Sequence, residues 1–278
     1  TEVSNQPYKA SIRLFIIARA IDNDEESVTE TLENIMSVCH STLELDKYEY
    51  ANLSYDEISK VVFEVNDSKI KALIKEEKIE NLQNQILPYC YAFDKLPLSN
   101  NDFSRIVNSI TEYPDMALSF QLIPTVYNAG EMAEIDKITQ ALDTLSRGVA
   151  DQGIGNVSFA LAEKHAATYK YYSEHKTMPL FMFNIMVYGD EKSISNVSSR
   201  LFGQVSSGVE ENANLRLVDM QADEVNKNGN FYPITWAVNE TLINKDRNTN
   251  IWNSNVFSNA LYRLPYIITS EEASEFFR

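Results

Sequence analysis

The chain has 278 residues, 44% of them hydrophobic, with only 8 Gly and 8 Pro. That is enough apolar material for real cores, a length that suits two modest domains, and a composition that excludes wholesale disorder. A formal charge of −16 argues against a large nucleic-acid footprint, because neutralising phosphates takes clustered Lys and Arg, and it favours solubility and basic partners instead.

Taken in chain order, the first apolar run is residues 11–20, which reads as a strand. A helix over about 25–45 follows, with Asp22, Asp24, Glu25 and Glu26 at its positive N-terminal end and Leu32, Ile35, Met36 and Cys39 at helical spacing. A strand is expected at 61–65, a charged helix over about 69–87 and another over 102–111. Residues 116–126 form a second β-rich run. The helix predicted after it, 131–147, carries Ile135, Ile138, Leu142 and Leu145 as its stripe and Gly148 as its stop. Residues 159–175 read as a helix ended before Pro179. The third unit is a strand over 180–188 and a helix over 191–206 with Ile194, Val197, Leu201 and Val205 in line. A strand at 215–220 follows.

Repeated strand–helix–strand units with few Gly-rich connections predict an α+β architecture. The expectation is two layered modules with ferredoxin-like, split β-α-β units, helices packed on one face of antiparallel or mixed sheets. The expected divisions are 1–112, 113–229 and an extended tail, 230–278, that holds Trp236 and Trp252 and wraps over the rest.

Chemistry-bearing motifs are sparse. There is no GxxxxGK[ST] phosphate loop, and Gly153-Ile154-Gly155 follows a helix, so it reads as a turn. Cys39 and Cys90 cannot build a disulfide framework and sit among apolar residues, which reads as two buried thiols. Cys39 and His40 are neighbours on one helix and point apart, while His165 and His175 lack metal-site spacing. No motif calls for a metal or a cofactor, and no catalytic residue can be named. No secretory signal or membrane-length apolar run is visible, which reads as a cytoplasmic chain.

The most basic and aromatic stretch is 164–176. Lys164, Lys170, Tyr171 and Lys176 are the candidates for contacting single-stranded nucleic acid, by phosphate pairing and base stacking. The competing reading is an amphipathic helix with Phe159, Ala162, Ala166, Tyr169 and Tyr172 or Ser173 inward and the lysines in solvent; the apolar spacing favours it. A metal-independent enzyme, its site built from residues distant in sequence, is the further alternative.

Near the end, Thr269 and Glu272 have the spacing of a capping box, so a helix is predicted to open there. It has about two turns before Arg278, which reads as a piece of a longer protein. The string Leu261-Tyr262-Arg263-Leu264-Pro265-Tyr266-Ile267-Ile268-Thr269-Ser270-Glu271-Glu272-Ala273 resembles the run into the motor domain of HerA/FtsK-type ATPases, including those of conjugation and type IV secretion. Residues 117–125 with Glu131, and residues 179–187, resemble the N-terminal region of the same proteins. The resemblance spans about 113–278 and leaves 1–112 unmatched. The family's phosphate loop, Mg²⁺-binding acid and arginine finger have no counterpart here. What it implies is a non-catalytic assembly or docking region whose partners are its own motor domain, sister subunits and another protein. Tyr262, Tyr266, Phe276 and Phe277 are the expected apolar anchors of such an interface.

Overall fold

The computed structural model describes residues 15–18, 20, 22–54, 56, 69–75, 77–93, 95, 110, 113, 116–148, 156–206, 215–220, 259–261 and 263–275. The chain divides into two units, Thr1–Glu64 and Val65–Arg278. This differs from the expected division near residue 112, and the reason lies in the sheet described below. The strand expected at 61–65, nearly all of the helix expected at 102–111 and the region of Trp236 and Trp252 lie outside the described residues.

In the first unit, helix α1 runs Glu25–Leu45. Asp24 caps it in extended conformation, its Oδ2 accepting from the Ser27 amide at 3.0 Å. Asp22 accepts from the amides of Asn23 and Asp24 and from the Ser27 hydroxyl. Those bonds favour its ionised form and hold the carboxyl below its usual range. Residues 15–18 carry no strand, contrary to the periodicity. No α1 residue is buried; Cys39, expected inside, is half-exposed. His40 stacks on Tyr50 and contacts Asn52, so the adjacent Cys39 and His40 do not form a pair.

The second unit is built on an antiparallel sheet. Its strands are β1 (Lys69–Lys75), β4 (Ala117–Thr125), β5 (Leu180–Gly189) and β6 (Leu215–Met220), in the spatial order β4-β5-β1-β6. A hairpin of β2 (Glu77–Asn81) and β3 (Tyr89–Phe93) forms a separate two-stranded sheet. Helices α2 (Ala129–Gly148) and α3 (Asn156–Glu174) lie between β4 and β5 in sequence, and α4 (Glu191–Ser206) joins β5 to β6. Because β5 and β6 are each antiparallel to β1, they run parallel to one another with β1 between them.

Residues 69–87, expected as a charged helix, are instead β1, β2 and the start of the hairpin turn. Lys and Glu raise helix propensity, but Ile70, Ala72 and Ile74 alternate with period two. Pairing on both sides then buries Ile70, Ala72, Leu73 and Ile74. Tertiary burial overrides a weak local preference here. The same pairing puts β1, assigned to the first expected module, in one sheet with strands of the second.

Successive residues of β5 feed two apolar clusters. Phe183, Ile185 and Val187 join Leu73, Ile194, Val197 and Ile268 in one. Leu180 joins the other, with Tyr91 and Phe93 of β3, Ile135, Ile138, Leu142 and Leu145 of α2, and Tyr169 and Tyr172 of α3. The stripe predicted for α2 is thus its buried face. Each such side chain contributes roughly 1.5–3 kcal/mol on burial.

The tail returns to this core. Two short 3-10 turns, Asn259–Leu261 and Leu264–Tyr266, lead into strand β7 (Ile267–Thr269) and helix α5 (Ser270–Glu275). β7 pairs antiparallel with Leu180–Met182 of β5, whereas β1 pairs with Ile185–Gly189. Both run against β5, so β1 and β7 lie end to end along one edge of it.

Candidate functional site

Where β1 stops, its last side chain meets the start of β7. Lys75 has a side chain only 1% exposed. Its ammonium donates to the Tyr172 hydroxyl at 2.5 Å, to the Ile267 carbonyl at 3.0 Å and to Glu272 Oε1 at 3.3 Å. It also lies 5.0 Å from the centroid of the Tyr172 ring and 5.8 Å from that of Phe183. Tyr172 in turn donates to Glu272 Oε1 at 3.1 Å.

Glu272 serves its own helix at the same time. Its Oε2 accepts from the Thr269 amide at 2.9 Å, and the Thr269 hydroxyl accepts from the Glu272 amide at 3.2 Å. The capping box predicted from sequence is therefore present, and both its members are buried. The Tyr171 hydroxyl lies 2.6 Å from Thr269 Oγ1, and the Ser270 amide donates to the Pro179 carbonyl. One carboxylate closes a helix start, receives a phenol and faces a buried cation.

A second arrangement of the same kind holds the tail a few residues earlier. Asn128 and Glu131 form the capping box of α2: the Asn128 amide donates to Glu131 Oε2 at 2.8 Å, and the Glu131 amide to Asn128 Oδ1 at 2.9 Å. Arg263 then grips the glutamate with two parallel bonds, Nε to Oε1 at 2.7 Å and Nη2 to Oε2 at 2.8 Å. It also donates to the Thr125 hydroxyl and the Val126 carbonyl. The bond to Glu131 stabilises the guanidinium and raises the Arg263 pKa, against a smaller effect of burial.

Tyr127 belongs to the core beside both carboxylates, and its hydroxyl has no hydrogen-bond partner among the described residues. Burial, then the charges of Glu272 and Glu131, hold that phenol well above the usual range. Burial and Glu272 do the same to Tyr172, so it is a proton donor at neutral pH and not a base. Solvent barely reaches Lys75 or Glu272, at 1% and 6% side-chain exposure. The chemistry on view is the holding of charge and register.

Of the anchors expected at an interface, Tyr266 is buried in this core, inside the turn that precedes β7. An apolar ring that completes its own fold is not a surface contact. Tyr262, Phe276 and Phe277 lie outside the described residues. The basic stretch folds as α3, with Tyr169 and Tyr172 inward as the amphipathic reading requires. Lys170 faces Glu174 at 3.8 Å, and Lys176 is 2.8 Å from Asp136. Tyr171 is occupied by Thr269, by the His175 ring at 4.1 Å and by the Lys95 ammonium at 4.1 Å. Lys164 is half-buried next to His165. Lys164, Lys170 and Tyr171 are drawn along α3 and Lys176 lies two residues past its end, each beside the partners just given.

Sequence reasoning missed Lys75, which it put in a helix, gave Tyr172 only a place on the inward face of its helix, and gave no role to Arg263. Asn128 followed three residues later by Glu131 was a capping signature in plain view. Nothing in the local sequence marks Lys75 as buried.

Among the described residues, no helix is long and apolar enough to cross a membrane, and no group of His, Cys, Asp and Glu is arranged to hold a metal ion. Compared with known proteins, the chain matches no family model, no curated protein and no solved structure.

Proposed function

We propose that the chain is the N-terminal, non-motor region of a HerA/FtsK-like ATPase, of the conjugation or type IV secretion kind, and that it acts by assembly and docking. One observation supports this above the others. The three separated stretches that carry the resemblance are neighbours in space. Residues 117–125 pair with 180–188, residues 180–182 pair with 267–269, and Arg263 reaches both Thr125 and Glu131.

The segment that resembles the approach to a motor domain is thus tied into a sheet, an α3 tyrosine and the cap of α2. A strapped-down segment of that kind fixes orientation, which a flexible linker cannot do. In this proposal the region orients motor subunits and presents surface to a protein partner. The ferredoxin-like description of the sheet and a cytoplasmic location belong to the same proposal.

The test is made in the full-length protein. Light scattering and ATP turnover are measured with and without the second unit, and the second unit alone is sized over a wide concentration range. The expected result is loss of ordered assembly on deletion. Unchanged assembly and turnover, with a second unit that stays monomeric at high concentration, would sink the proposal.

A further inference from the structure

We infer that residues 263–275 form a single releasable strap, in which the strand register of β7 and the start of α5 are gained or lost together. The inference goes beyond the motor reading and does not depend on it.

The strap has little to hold it locally. β7 makes three residue pairs with β5, and α5 has six residues, well below the length at which an isolated helix persists in water. Docking buries Leu264, Tyr266, Ile267, Ile268 and Ala273, and two distant ion pairs, Arg263–Glu131 and Lys75–Glu272, fix the register in which they are buried. Both glutamates are also N-terminal caps, so each pair couples a long-range contact to a local helix start.

Lys75 makes the coupling tight. One ammonium holds the carbonyl of Ile267, the first residue of β7, and the side chain of Glu272, in the first turn of α5. A slip of one residue in β7 would move Thr269 to the other face and separate both acceptors from Lys75. No partly shifted register satisfies these groups. Buried ion pairs add modest net stability yet are expensive to half-break, which suits an element with two states and nothing between.

The experiment is amide hydrogen exchange on the whole chain, comparing wild type with Lys75→Met and Arg263→Gln. Arg263 is half-exposed, so its variant keeps the test usable if Lys75→Met fails to fold. Either variant is expected to speed exchange on the order of 100-fold across 264–273 as one block, with the Phe181 amide, opposite Ile268, following. Residues 215–220 of β6 are expected to keep their protection. The inference is overturned if Arg263→Gln accelerates only the amides beside Arg263, leaving 269–273 at the wild-type rate. It is equally overturned if β6 opens in step with the strap, because that is global loosening.

Discussion

Lys75 and Glu272, at the end of the first strand of the sheet and the start of the last helix, form a buried ion pair at 3.3 Å. A glutamate that already caps its helix is thereby made the counter-charge of a strand 197 residues away. Removing one partner leaves the other buried without its match, so Glu272→Gln is expected to lower unfolding free energy by about 3–5 kcal/mol. Joint replacement, Lys75→Met with Glu272→Leu, is expected to recover most of that, short of about 1 kcal/mol for the lost cap. Urea denaturation of the two variants decides it; a double variant as weak as the single one refutes the account.

Arg263→Lys tests the second clasp. Lysine keeps the charge and loses the planar fork that meets both oxygens of Glu131. A loss of about 1 kcal/mol is expected, kept small because Arg263 is partly exposed. Glu131→Gln is expected to cost more, since it strips the charge from the buried member. Equal losses in denaturant melts would count against the assigned geometry.

His165 gives the fold a pH dependence. It is buried, neither ring nitrogen has a partner among the described residues, and burial, then Lys164 and Lys78, push its pKa down to about 4. The unfolded imidazole binds its proton near pH 6.5, so the folded state is the poorer proton binder. This contribution is whole above pH 6.5 and is lost as pH falls from 6.5 to 4, to a total of about 3 kcal/mol. His165→Leu is expected to flatten the stability profile in that window. An unchanged slope in melts between pH 7 and 4.5 would show that other groups govern it.

The two thiols are expected to differ in reactivity. Cys39 is half-exposed, whereas Cys90 is buried and its thiol is pushed up to about 12 by burial and then by Glu80. An aromatic disulfide reagent at neutral pH is expected to label Cys39 promptly and Cys90 only as the chain opens. Prompt labelling of both in Cys39→Ser and Cys90→Ser variants would contradict the burial of β3.

Much of the second unit could be read from residue order. Period-3.6 stripes located α2 and α4, apolar runs located β4 and β5, and Thr269 with Glu272 marked the opening of α5 to the residue. What escaped was set by partners remote in sequence. Ile70, Ala72 and Ile74 became a central strand because β5 and β6 flank them, and their lysine-rich surroundings pointed to a helix. Lys75 and Arg263 carry no local mark of burial, since their carboxylates are supplied from far along the chain. Tyr266 looked like an anchor for a partner and turned out to anchor its own fold.

The end-to-end placement of β1 and β7 along β5 also sets an order of events. β7 takes its seat from Leu180–Met182 and its hold from Lys75 at the end of β1, so the tail docks after both strands are in place. During synthesis the ribosome delivers the parts in that same sequence, with the strap emerging after every strand it docks on. Until then the Leu180–Met182 edge is a vacancy any passing strand can fill, the kind of opening through which nascent chains aggregate or exchange segments. A chaperone that shields this edge until residue 269 is made would therefore raise the yield of folded chain more than one that protects α2 or α3.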